Sequence, residues 1–165
     1  MLNATDGIYY LLIAACIVLS FRTDTERLKG IKWLRWLLSV AFAGEFLNEF
    51  IDHFTPYGNV FYHLYIPFEF FALSRFLLEN IPIKMIKKIM LVVTPLYFLF
   101  CFYYSAKVHG SRAYPSMQYN VDCFIIAILT LIALLNIQAD VRYDITALPV
   151  FWICSGLLVF YTGIF

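Results

Sequence analysis

Charge is scarce in this chain. Only 14% of its 165 residues are Asp, Glu, Lys or Arg, and the net charge is +1, against about 25% charged residues in an ordinary soluble domain. No basic run with interleaved aromatics occurs outside the loops, so nucleic acid is excluded as a partner. The four cysteines, Cys16, Cys101, Cys123 and Cys154, stand singly in apolar stretches with no C-x-x-C spacing. They read as packing residues and not as a redox or zinc motif. Gly-rich phosphate loops, H-E-x-x-H and G-x-S-x-G are all missing, and Ser39, Ser74, Ser105 and Ser155 sit in no nucleophile motif.

What is present is apolar. The chain is 62% hydrophobic and 19% aromatic, with a mean hydropathy of +0.78. Its apolar residues fall into six blocks of span length, about 7–21, 33–54, 60–78, 89–105, 120–137 and 150–165. A transmembrane helix needs about 17–25 residues, and a β-barrel would alternate with period two. The pattern therefore predicts an all-α, polytopic transmembrane bundle forming one domain over 1–165. The first block lacks a basic n-region and a small-x-small cleavage site, which argues for a retained span and against a removable signal peptide.

Lys and Arg set the orientation. Arg22, Arg27, Lys29 and Lys32 follow the first block, and Lys84, Lys87 and Lys88 follow the third, whereas the turn 55–59 has none. Positive residues stay on the cytoplasmic side, so the N-terminus is expected outside. Trp33 and Trp36 at one end of the second block, and Phe98 to Tyr104 at the other end of the fourth, fit interfacial aromatic belts. The last block covers about 24 Å of helix and stops without a polar anchor, which predicts a seventh helix beyond Phe165. No internal repeat and no matched pair of broken helices marks an inverted-repeat transporter.

The costly residues lie in the second and third blocks. Glu45, Asn48, Glu49, Asp52 and His53 interrupt an otherwise apolar helix, and intramembrane ionisable groups point to function. Around that helix Glu49 lies about 40° from Glu45, Asp52 about 20° the other way and His53 about 80°, which makes one stripe. The turn Thr55-Pro56-Tyr57-Gly58-Asn59 forces the two helices to be antiparallel neighbours. Glu45 and Glu69 are equidistant from Tyr57, so they share a depth about 18 Å of helix below the turn. Glu49 and Asp52 bracket the depth of His63. On the third helix Tyr62 and Tyr65 fall within about 40° of Glu69, and His63 about 120° from it.

Two carboxyls at one depth can share a proton, bind a cation or hold a metal. Bonding to Tyr62, Tyr65, Asn48 or Asn120 as interhelical glue is the plainer alternative. The expected ligand- or proton-binding set is Glu45, Asn48, Glu49, Asp52, Tyr62, His63, Tyr65 and Glu69. Glu49, His53 and His63 are the metal candidates, since carboxylate and imidazole suit iron, manganese or zinc. The residues name no cofactor.

Two stretches, Tyr62-His63-Leu64-Tyr65-Ile66-Pro67-Phe68-Glu69-Phe70-Phe71 and Pro149-Val150-Phe151-Trp152-Ile153-Cys154-Ser155-Gly156-Leu157-Leu158-Val159-Phe160-Tyr161-Thr162-Gly163, together with the Asn48-Glu49 pair, resemble small uncharacterised bacterial membrane proteins of about seven helices. Similar segments occur in the membrane input regions of sensor histidine kinases. The resemblance implies a bacterial cytoplasmic (inner) membrane location, a role in signal transduction, and a signalling protein or a second copy of the chain as partner beside the lipid bilayer. Pro67-Phe68-Glu69 is also similar to the Pro-x-Glu motif of small membrane carotenoid cyclases, which carry a second acid where Phe70 stands here. The expectation is a sensor or accessory module binding a small ligand, proton or ion, with an intramembrane enzyme or an ion-coupled transporter as alternatives.

Overall fold

The computed structural model describes residues 4–22, 30–54, 60–109, 114–139 and 148–163. They form six α-helices: α1 (Ala4–Arg22), α2 (Ile31–Phe54), α3 (Val60–Asn80), α4 (Lys84–Tyr104), α5 (Ser116–Ala139) and α6 (Pro149–Gly163). A π-helical turn, Ser105–His109, prolongs α4. Among the described residues there is no strand. The first, second, third and fifth apolar blocks run within one helix each, the fourth runs from α4 one residue into the π-helical turn, and the last falls on α6 as far as that helix is described.

Local chemistry sets several of the ends. Gly30 precedes α2 with φ +79°, a conformation that L side chains rarely adopt. A Cβ there would also press on the Phe76 backbone. Pro149 opens α6 at a position where its missing N–H removes no helical bond. The carbonyl of Pro115 receives the amide of Tyr119 at 3.1 Å as α5 begins. Pro67 lies inside α3 and Pro95 inside α4, each withdrawing one donor from the helical ladder.

The bundle is organised around α3, which packs against α2, α4 and α5, while α1 packs on α2 and α6 on α5. Ile66, Phe70, Leu73, Phe76 and Leu77 of α3 are all buried. By contrast α4 meets its neighbours along a narrow edge formed by Met90, Tyr97 and Cys101. Where α2 crosses α3, a Cβ on Gly44 would collide with the ring of Phe61, so glycine there lets the two helices close.

One end of the bundle is basic. Arg35 of α2 donates from Nε to the carbonyl of Ser20 on α1 at 2.8 Å, with its guanidinium over the Phe21 ring. Trp33 donates from Nε1 to Glu79 on α3 at 2.8 Å, and Lys32 stands 3.6 Å from the same carboxylate. These contacts gather the end of α1, the start of α2 and the end of α3 at one level, and α4 starts after the three residues that follow α3.

Polar groups are buried among the apolar core, and large apolar side chains are widely exposed. The interior holds Glu69, Ser74, Gln118, Asp122 and Thr130, and the surface shows Leu11, Met85, Leu91, Leu99, Leu131 and Val159. Two helices, α4 with its π-helical extension (Lys84–Lys107) and α5 (Ser116–Ile137), are long and apolar enough to cross a membrane.

Candidate functional site

Glu69 of α3, Gln118 and Asp122 of α5 and Tyr161 of α6 are buried polar groups in the half of the bundle away from the basic end. Glu69 lies about 14 Å along α3 from its start and Asp122 about 9 Å along α5, two helices that run the same way. Both are buried, with Glu69 9% and Asp122 0% exposed. Tyr161, near the end of α6, donates its phenolic hydroxyl to Glu69 Oε1 at 2.5 Å. That short bond ties the first candidate acid to the last helix. Glu69 lies within electrostatic reach of Asp122.

Asp122 is differently served. Neither of its carboxyl oxygens has a hydrogen-bond partner among the described residues. Asp122 lies four residues after Gln118 and eight before Thr130 on one stripe of α5, all three 0% exposed. Thr130 turns its hydroxyl back to the carbonyl of Ile126 at 2.7 Å and so satisfies itself within α5.

Gln118 instead builds a second polar layer nearer the end of the bundle. Its Nε2 donates to the carbonyl of Cys101 at 2.8 Å and to Ser105 Oγ at 2.9 Å, and its own carbonyl accepts the Tyr97 hydroxyl at 3.0 Å. Ser105 also meets His63 Nδ1 at 2.8 Å. The hydroxyl can bridge Gln118 and His63 because α4 passes there into its π-helical turn, a local widening that recurs at functional sites. The Oε1 of Gln118 has no partner among the described residues.

Of the residues expected from sequence, Glu69 and His63 take part in these two layers. Tyr62 sets its ring edgewise to Tyr114 at 5.5 Å, and Tyr65 stacks on Phe61 at 5.6 Å. Asn120 faces outward. Glu45, Asn48, Glu49, Asp52 and His53 belong to α2 by their backbone, but their side chains, like the turn 55–59, lie outside the described residues. Among the described residues no three His, Cys, Asp or Glu side chains group as a metal site would need.

Asp122, Gln118 and Tyr161 are additions that sequence reasoning missed. The signal available for the first two was their i,i+4 spacing at the head of an apolar block. For Tyr161 there was none, since its partner is 92 positions away.

The layer thus holds two buried carboxyls, Glu69 fixed by a phenol and Asp122 without a donor among the described residues. No protein-family model, curated protein or solved structure matches this chain.

Proposed function

We propose that the chain is a multi-pass integral membrane protein whose Glu69–Asp122–Tyr161 centre takes up a proton or small cation, serving as a sensor or accessory module. The observation that carries this reading is Asp122, a fully buried carboxyl without a donor among the described residues, set beside a second acid. An ionised carboxylate in that position is expensive unless it is paired. A proton or a cation removes the expense, so occupancy and the packing of α3, α5 and α6 are linked. A ligand that favours one packing shifts the population of that packing.

The membrane location is supported by the widely exposed large apolar side chains and by the two span-length apolar helices. In α4 only 17% of the apolar window is buried, and in α5 33%. The core helix of a soluble protein would bury most of such a window. We extend the reading to α1, α2, α3 and α6 as bundle partners, in the bacterial inner membrane with the basic end in the cytoplasm, following the positive-inside rule. The likeness to sensor-kinase input regions favours a signalling partner.

The test is infrared difference spectroscopy of the detergent-solubilised protein on pH steps and on exchange between sodium, potassium and calcium. The expected result is a carboxyl band that responds to one of these changes and is lost in Asp122→Asn, with a shifted partner band in Glu69→Gln. Difference spectra identical in wild type and both variants would reduce the layer to inert packing.

A second reading has its own observation. His63 and Ser105 form a 2.8 Å pair, with Gln118 also bonded to the serine hydroxyl. A nucleophile and a base at that distance fit an intramembrane hydrolase. A serine-directed fluorophosphonate that labels wild type and spares Ser105→Ala and His63→Ala would move the assignment to an enzyme.

A further inference from the structure

At the basic end, α3 and α4 diverge around a cavity of about 160 Å³. Its wall is of two kinds. Phe71 and Leu91 supply apolar surface, whereas Ser74, Thr94, Arg75 and Lys87 supply donors. Ser74 is 2% exposed, yet its hydroxyl has no partner among the described residues. A helical serine ordinarily bonds back to the preceding turn. Here it is left to the cavity.

The two cations are also uncommitted to acids. Arg75 rests its guanidinium on the Phe71 ring at 5.3 Å, a contact that occupies the face of the group and leaves its N–H edge available. The acid that helical spacing would offer Arg75 is Glu79, one turn further on. That carboxylate is engaged across the bundle by Trp33 and Lys32. Neither Arg75 nor Lys87 has an ion pair among the described residues. At the cavity's rim Leu91 is 72% exposed, and α4 also exposes Met85.

We infer that this cleft binds the phosphate group of an anionic phospholipid, with Arg75 and Lys87 on the phosphate, Ser74 donating from beneath and the acyl chains lying along the apolar face of α4 around Leu91. A guanidinium, an ammonium and a buried hydroxyl are the donor set that phosphate recognition uses. Basic pockets between helices on the cytoplasmic side are where such headgroups bind. A soluble phosphate ester would satisfy the same donors. The adjoining exposed apolar strip assigns the site to a lipid.

The inference rests on the membrane reading above, and the experiment separates the two. Native mass spectrometry of the detergent-purified chain is run against phosphatidylglycerol, phosphatidylcholine and glycerol phosphate. Phosphatidylglycerol is expected to be retained in preference to phosphatidylcholine, and to bind about fivefold more weakly in Arg75→Gln and in Lys87→Gln. Ser74→Ala should also bind it more weakly. Lys88→Gln, whose side chain does not line the cavity, should bind as wild type does.

Equal retention of the two lipids, or unchanged binding in both charge variants, would overturn the site while leaving the membrane assignment intact. Glycerol phosphate binding as tightly as the lipid would transfer the site to a soluble ligand and overturn the lipid assignment. A chain that stays monodisperse in water without detergent would refute the membrane reading itself, before any lipid is added.

Discussion

Removing the acid Asp122 and removing the phenol that serves Glu69 should change stability with opposite signs. Asp122→Leu keeps the branching of the side chain and removes two buried oxygens that have no donor among the described residues. The penalty for an unsatisfied buried polar group is about 1–3 kcal/mol, so the variant should be more stable than wild type by up to that amount. Leu adds volume to a closed site, and Asp122→Val is the companion that separates overpacking from polarity. Tyr161→Phe does the reverse. It deletes the 2.5 Å bond and leaves Glu69 buried without this donor, which should destabilise the protein by about 1–3 kcal/mol. The separation between the two variants is then about 2–6 kcal/mol. Far-UV circular dichroism during SDS titration of the protein in mixed micelles measures it. Both Asp122 variants falling below wild type while Tyr161→Phe holds its stability would refute the reasoning, since it would mean that Asp122 carries a stabilising partner and Glu69 does not depend on its phenol.

Three further outcomes follow from the packing. Gly44→Ala should destabilise by about 1–3 kcal/mol through overpacking against Phe61, and adding Phe61→Ala should recover part of the loss in the same unfolding assay. Ser105→Ala, which strips a bridge between Gln118 and His63, should cost more than Thr130→Val, whose hydroxyl bonds only within its own helix, with about 1 kcal/mol between them by thermal unfolding. Glu79→Gln should change stability by less than about 1 kcal/mol, because the Lys32 pair is solvent-facing and the amide oxygen can still accept from Trp33; a double-mutant cycle with Lys32→Gln checks it.

Helix number and order were legible because each apolar block is long enough to form a helix and is bounded by charge, Pro or Gly. The ends were less so. Lys84, Lys87 and Lys88 read as loop, yet α4 begins at Lys84, since a helix can carry its charged first turns beyond its apolar core. The same displacement hid Asp122. With the block taken to start at residue 120, an acid two positions in belongs at the interface, where charge is cheap. With α5 starting at Ser116 it lies nearly two turns inside. Glu69 was legible because it stands mid-block, where an acid has no interfacial explanation. Its bond to Tyr161 was not, because helical periodicity orders residues within a helix and says nothing of which distant helix will face it. The cavity beside Arg75 depends in the same way on Glu79 being drawn across to α2, a choice made by three helices together.

The span between Glu69 and Tyr161 also has a meaning in time. The ribosome must add another 92 residues after Glu69 before its hydrogen-bond donor exists, which at about 5–20 residues per second takes roughly 5 to 18 seconds. Throughout that interval α3 carries an acid in its middle without the phenol that later serves it. A nascent chain halted before α6 would keep that acid without its phenol, so the closing of this part of the core waits on the last described helix.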